Sequence, residues 1–115
     1  MKQYALYMYQ PVGVVPPPEF LEKVMQEIRE LRRELEYEEA YVFGGGLEPP
    51  DASTVVRAVG GQAIATDGPY ADGKEFLGGM TVIKVPSLDE ALEWAGRYAL
   101  VTGLPIEVRP FQGDF

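Results

Sequence analysis

Residues 54–85 read TVVRAVGGQAIATDGPYADGKEFLGGMTVIKV, and this stretch decides the fold. Thr54 to Val59 and Gln62 to Thr66 are short runs suited to strands. They flank Gly60-Gly61, a two-residue hairpin signal, because both central residues of the favoured tight turn need positive φ. Asp67-Gly68-Pro69-Tyr70 then marks a turn, and Phe76 to Val85 reads as a longer strand. An Asp before a Gly usually bonds the backbone N–H two residues on. Here that residue is Pro69, which has no N–H. The Asp67 carboxylate is left to accept from the Tyr70 N–H or a distant donor, or to face a pocket as acid, base or ligand-orienting acceptor.

Working outward, residues 3–9 favour a strand with Tyr4, Leu6 and Met8 on one face and Ala5, Tyr7 and Tyr9 on the other. Pro18 to about Glu39 reads as a helix, with Leu21, Val24, Met25, Ile28, Leu31 and Leu35 at helical spacing. Pro18 suits its first position, and Glu19 and Glu22 complement the positive helix end. Ala40 to Phe43 reads as a strand ending in Gly44-Gly45-Gly46, a bulge or close backbone approach. Ser87-Leu88-Asp89-Glu90 has capping-box spacing. Leu88, Ala91, Leu92, Ala95 and Ala99 then line one face of a second helix, which Leu104-Pro105 stops. Ile106 to Phe111 is a last strand, with Ile106 and Val108 opposite Glu107, Arg109 and Phe111.

The order is strand, helix, strand, inserted hairpin, strand, helix, strand. This is the α+β, ferredoxin-like split βαβ pattern, with two helices on one face of an antiparallel sheet. The chain has 115 residues, a length for a single domain spanning 1–115. The other sheet face carries Tyr7 and Tyr9, too apolar to leave in water. Pairing it with a second copy predicts a homodimer enclosing a cavity, a dimeric α/β-barrel.

Composition narrows the chemistry. The formal charge is −8, which argues against nucleic acid and against an anionic membrane surface. Residues 19–39 hold eight Glu against four Lys or Arg. This reads as a solvated helix face with pairs such as Arg32–Glu36. There is no Cys and no His. A Ser-His-Asp triad, a Cys-His dyad and a His- or Cys-based metal site are excluded, and no metal or cofactor is expected. No apolar run approaches a membrane span, and no secretory leader pattern is evident, so a cytoplasmic location is expected.

Gly68 to Lys74 has the spacing of a phosphate-binding loop. Glu75 stands where the magnesium-binding hydroxyl belongs, and a strand follows instead of a helix, so nucleotide binding is rejected. Asp67 is the one catalytic candidate. Arg57 and Arg109, on strands, are either solvated at an edge or turned into a polar cavity. Tyr7 and Tyr9 could lend hydroxyls to a pocket or pack an interface. Lys74 and Glu75 could pair with each other or with Asp67, and Trp94 reads as a helix-packing residue.

Together these residues resemble the YCII-related, DGPF-domain family. The matching features are Tyr4 to Tyr9, Leu47-Glu48-Pro49-Pro50, Thr54-Val55-Val56-Arg57, Thr66-Asp67-Gly68-Pro69-Tyr70, Lys74-Glu75, Leu77-Gly78-Gly79, Leu88-Asp89-Glu90-Ala91 and Glu107-Val108-Arg109-Pro110. The resemblance implies a ferredoxin-like dimeric α/β-barrel with a cleft containing Asp67. In related proteins that Asp is proposed to work with a His, and one branch includes a dehydrochlorinase acting on an aromatic ring. Other members are linked to extracytoplasmic-function sigma factors. This chain has no His, Tyr70 replaces the usual Phe, and Gly73 stands where Thr is common. The resulting expectation is a binding module for a small, partly apolar molecule, with Asp67 central and Tyr7, Tyr9, Arg57 and Arg109 around it. The alternatives are a lyase or isomerase using Asp67 for proton transfer, and a protein-interaction module in sigma-factor control.

Overall fold

The computed structural model describes residues 1–113. The elements in chain order are β1 (Lys2–Pro11), α1 (Pro18–Tyr37), β2 (Tyr41–Gly46), β3 (Thr54–Val59), β4 (Gln62–Asp67), β5 (Glu75–Val85), α2 (Leu88–Thr102) and β6 (Ile106–Pro110). Four strands form one antiparallel sheet in the order β2-β5-β1-β6, and β3-β4 is a separate two-stranded hairpin. This is the expected ferredoxin-like α+β arrangement with its inserted hairpin.

Cross-strand partners share a face, so the register assigns the two sides of the sheet. Tyr4 and Leu6 lie opposite Ile83 and Thr81 in β5 and opposite Pro110 and Val108 in β6. This side meets the helices. Tyr4, Leu6 and Ile83 form one core with Leu31 and Leu35 of α1 and with Ala91, Ala95 and Tyr98 of α2. Leu35 and Ile83 are fully buried.

The helices sit differently from the simple pattern. In α1 only Leu31 and Leu35 are buried, while Leu21 and Met25 remain 40% and 50% exposed. The C-terminal half of α1 is seated and its N-terminal half stands off the sheet. In α2 the buried face is Ala91, Ala95, Tyr98 and Thr102, with Leu88 and Leu92 exposed. Small Ala residues let the helix approach, and Tyr98 takes the depth that a Leu face was expected to fill.

The ends follow local chemistry. Ser87 Oγ accepts from the Glu90 N–H at 3.3 Å, which caps α2. Among the described residues the Glu90 side chain makes no return bond, so the box is half formed. Gly103 closes α2 with φ 70°. The end of α1 uses Glu39 at φ 59°, with Ala40 N–H donating to Leu35 O at 2.8 Å and Glu39 N–H to Glu36 O at 3.0 Å. That pairing is a Schellman ending built without glycine.

Gly60 and Gly61 turn the hairpin with φ of 57° and 79°, as a type I′ turn requires. Apart from Val55, every residue of β3 and β4 is exposed, and the two strands contact little beyond each other. The radius of gyration is 16.2 Å, against about 13 Å for a compact chain of this length. The hairpin is an arm. The Gly44–Gly46 stretch ends β2 as expected, paired with Thr81 to Gly79, and a Cβ on Gly44 would lie 3.2 Å from Met80 O, the close approach that glycine permits. No described helix is long and apolar enough to cross a membrane.

Candidate functional site

The side of the sheet away from the helices carries Tyr7 from β1, opposite Met80 in β5 and Glu107 in β6. Phe43 of β2, opposite Val82 of β5, is 63% exposed on the same side. On this face Tyr9 Oη donates to Glu107 Oε1 at 3.0 Å. Arg109 Nη2 approaches the same Glu107 oxygen at 3.5 Å, and its guanidinium lies 5.9 Å from the Tyr7 ring centre. One carboxylate oxygen thus holds a phenol and a guanidinium beside an aromatic face. Burial, and then the Glu107 carboxylate, push the Tyr9 phenol above its ordinary range. At neutral pH Tyr9 is a hydrogen-bond donor and not a base.

Tyr9 also lines an open cleft of about 550 Å³ at the root of the hairpin, a volume typical of small-molecule sites. Its walls include Leu47, Glu48, Pro50, Pro69, Glu75 and Phe76. The Asp67-Gly68-Pro69-Tyr70 turn reaches this wall through Pro69, with Ala71 beyond it, and Asp67 itself does not line the cleft. The turn is held by Gly68 N–H donating to Ser53 O at 2.9 Å. A Cβ on Gly68 would sit 2.8 Å from Val55 Cγ2, so glycine is needed here for close approach to the neighbouring strand.

Asp67 ends β4 opposite Thr54 and is exposed. Among the described residues its carboxylate makes no hydrogen bond or ion pair. Neither the Tyr70 N–H nor Lys74 takes it up, and Lys74 does not pair with Glu75. Arg57 alternates to the opposite face of the hairpin from Asp67, because Asp67 shares its side with Val56 and Ala65. The Arg57 guanidinium rests 5.5 Å from the Tyr70 ring centre.

The five predicted residues therefore fall into two groups. Tyr7, Tyr9 and Arg109 meet on the open sheet face, and Asp67 and Arg57 lie on the hairpin. Glu107 organises the first group and was read from the sequence only as a face-mate of Arg109. Its signal was the alternation Glu107, Arg109 on the outer side of a strand whose inner side is Ile106 and Val108. Elsewhere, α1 is a solvated face as expected, with Arg32–Glu36 at 3.0 Å. Trp94 packs against the core under Arg97, which also grips Glu34.

The profile of the YCII-related domain matches residues 2–112. An uncharacterized protein of Rhizobium meliloti (strain 1021) is 40% identical over 76 residues, 64% of this chain and 60% of that relative. The match thus spans less than two thirds of the relative's length. The chain belongs to the YCII-related domain family.

Proposed function

For this YCII-related chain we propose a small-molecule-binding module, with a cleft built between the Asp67 turn and the open sheet face and completed by a second copy of the chain. The observation that carries this reading is the cleft itself. Its wall runs from Tyr9, the hydroxyl donor, to Pro69, two residues from an unpartnered carboxylate. Apolar walls with a few convergent polar groups suit a small, partly apolar ligand.

Two features support the second copy. Phe43, on the same sheet face as Tyr7, is 63% exposed, and the hairpin leaves Val56 63%, Val59 55% and Ile64 44% exposed. An isolated two-stranded hairpin is marginally stable in water. Covering the sheet face together with the side of the hairpin that carries Val56 and Asp67 reduces this exposure and brings the Asp67 carboxylate toward an enclosed space, with Arg57 on the hairpin's other side. A homodimer in light scattering, at twice the 12.7 kDa chain mass, is the expected result. A monomer at micromolar concentration refutes this arrangement.

The same carboxylate could transfer a proton in a lyase or isomerase if the partner copy buries it, since burial favours the neutral acid. Asp67→Asn separates the two readings. A thermal-shift screen of small aromatic and aliphatic amides and alcohols supplies the compounds. Under the binding reading, a compound that stabilises the wild type loses its effect in Asp67→Asn without being consumed by either protein. Under the catalytic reading, the wild type converts the compound and Asp67→Asn does not. Dimer mass and unfolding temperature stay unchanged in both cases; a variant that fails to fold would assign Asp67 a structural role.

A further inference from the structure

A second cavity lies on the other, helix-covered side of the sheet, under the raised N-terminal half of α1. By register, Gly44 and Gly46 of β2 and Gly79 of β5 fall on the same side as Leu6 and Met8. Three cross-strand positions on the inner face thus carry no side chain. Above them, Met25 is half-exposed and Ile28 only partly buried. The helix does not descend to fill the gap, because Leu31 and Leu35 fix its far end in the core. The result is an apolar cavity of about 220 Å³, with Met8, Met25, Ile28 and Ile106 in its walls. An apolar cavity of about 150 Å³ already accepts benzene.

The charge around this cavity runs against the rest of the chain. The protein carries −8 overall, and α1 is rich in Glu. Yet the charged residues lining the cavity are Arg29 and Arg32, with no carboxylate among its walls. Arg32 is already engaged, 3.0 Å from Glu36 and 4.8 Å from the Tyr41 ring centre. Arg29 is exposed, and its guanidinium makes no hydrogen bond, ion pair or ring contact among the described residues. A free cation beside an unfilled apolar volume complements a molecule with a hydrocarbon body and an anionic head.

We propose that this cavity binds a small apolar carboxylate, with its hydrocarbon part against Met8, Met25, Ile28 and Ile106 and its carboxylate on Arg29. The site is separate from the Asp67 cleft, since the sheet lies between the open face and this cavity. A neutral ligand of the same shape would gain the apolar contacts without the ion pair.

Calorimetric titration of the full chain with 2-naphthoate and its neutral counterpart 2-naphthamide tests this. Naphthoate is expected to saturate at one per chain and to bind about fivefold more tightly than the amide, the range of a solvent-exposed ion pair. Arg29→Gln is expected to remove that preference and leave amide binding unchanged. Gly46→Leu projects a side chain at the cavity wall and is expected to weaken both probes by about tenfold or more. The new Cβ meets nothing nearer than Gly78 O at 3.9 Å, so the fold is expected to tolerate it. Should Gly46→Leu fail to fold, Met25→Trp, at a half-exposed position of the same cavity, is read in the same way. The proposal is overturned by any of three results: no saturable naphthoate binding up to millimolar concentration, equal affinity for the two probes, or wild-type binding by the filled variant.

Discussion

Replacing Gly68 by Ala probes the turn that borders the Asp67 cleft. The added Cβ would lie 2.8 Å from Val55 Cγ2, well inside van der Waals contact. Val55 is β-branched and partly buried, so its methyl cannot swing aside as the end of a long chain would. Overpacking of this kind costs about 1–3 kcal/mol. Restricting the unfolded chain returns about 0.4–1 kcal/mol, which leaves a net loss centred on about 1.3 kcal/mol. For 115 residues the unfolding entropy is about 0.24 kcal/mol/K, so each kcal/mol lowers Tm by about 4 °C. The expected fall is thus about 5 °C if the hairpin unfolds with the body. If the arm opens separately, Tm holds. The amide of residue 68, bonded to Ser53 O at 2.9 Å, then exchanges about tenfold faster for each 1.4 kcal/mol. Adding Val55→Ala removes the clashing methyl, and the double-mutant cycle should return a coupling of about 1–3 kcal/mol. Denaturant unfolding together with amide exchange measures both routes. A Gly68→Ala variant as stable as the wild type by both readouts, or a clash that Val55→Ala does not relieve, refutes the close-approach argument.

Two further outcomes are expected. Glu39→Gly should stabilise the protein by about 1 kcal/mol in denaturant melts, because Glu39 holds φ 59° at the end of α1 and a left-handed conformation costs an L-residue about that much. A destabilised variant would show that the Glu39 side chain supports the helix end in another way. The Tyr9 phenol is held above its ordinary range by burial and by Glu107, so the native state keeps that proton more tightly than the unfolded chain. The corresponding stability is present below about pH 10 and is lost as pH rises through the folded pKa. Tyr9→Phe should flatten part of the alkaline fall in unfolding midpoint. Tyr98, raised mainly by burial, sustains the remainder, and an unchanged alkaline slope in Tyr9→Phe would count against the Glu107 contact.

Local chemistry alone determined the element order, the hairpin turn, the α2 cap and the Arg32–Glu36 pair. Each depends on neighbours within a few residues, and Gly60-Gly61 or Ser87 with Glu90 carries its meaning in place. Alternation likewise placed Ile106 and Val108 opposite Glu107 and Arg109. The bending of roles came from long-range packing. Ala91 and Ala95 took their expected place in the core, but Leu88 and Leu92 stayed exposed and Tyr98 filled the depth, because helix depth is set by the partner surface. Asp67 was correctly freed from its usual turn bond by Pro69, but only the register showed that Arg57 leaves on the opposite side of the hairpin. Glu107 joined Tyr9 and Arg109 because β6 lies beside β1, a pairing between residues nearly a hundred positions apart. The Gly44–Gly46 stretch read as a strand end. In the fold it is also a bare patch of sheet beneath a helix anchored at its other end, and the cavity there belongs to no single segment.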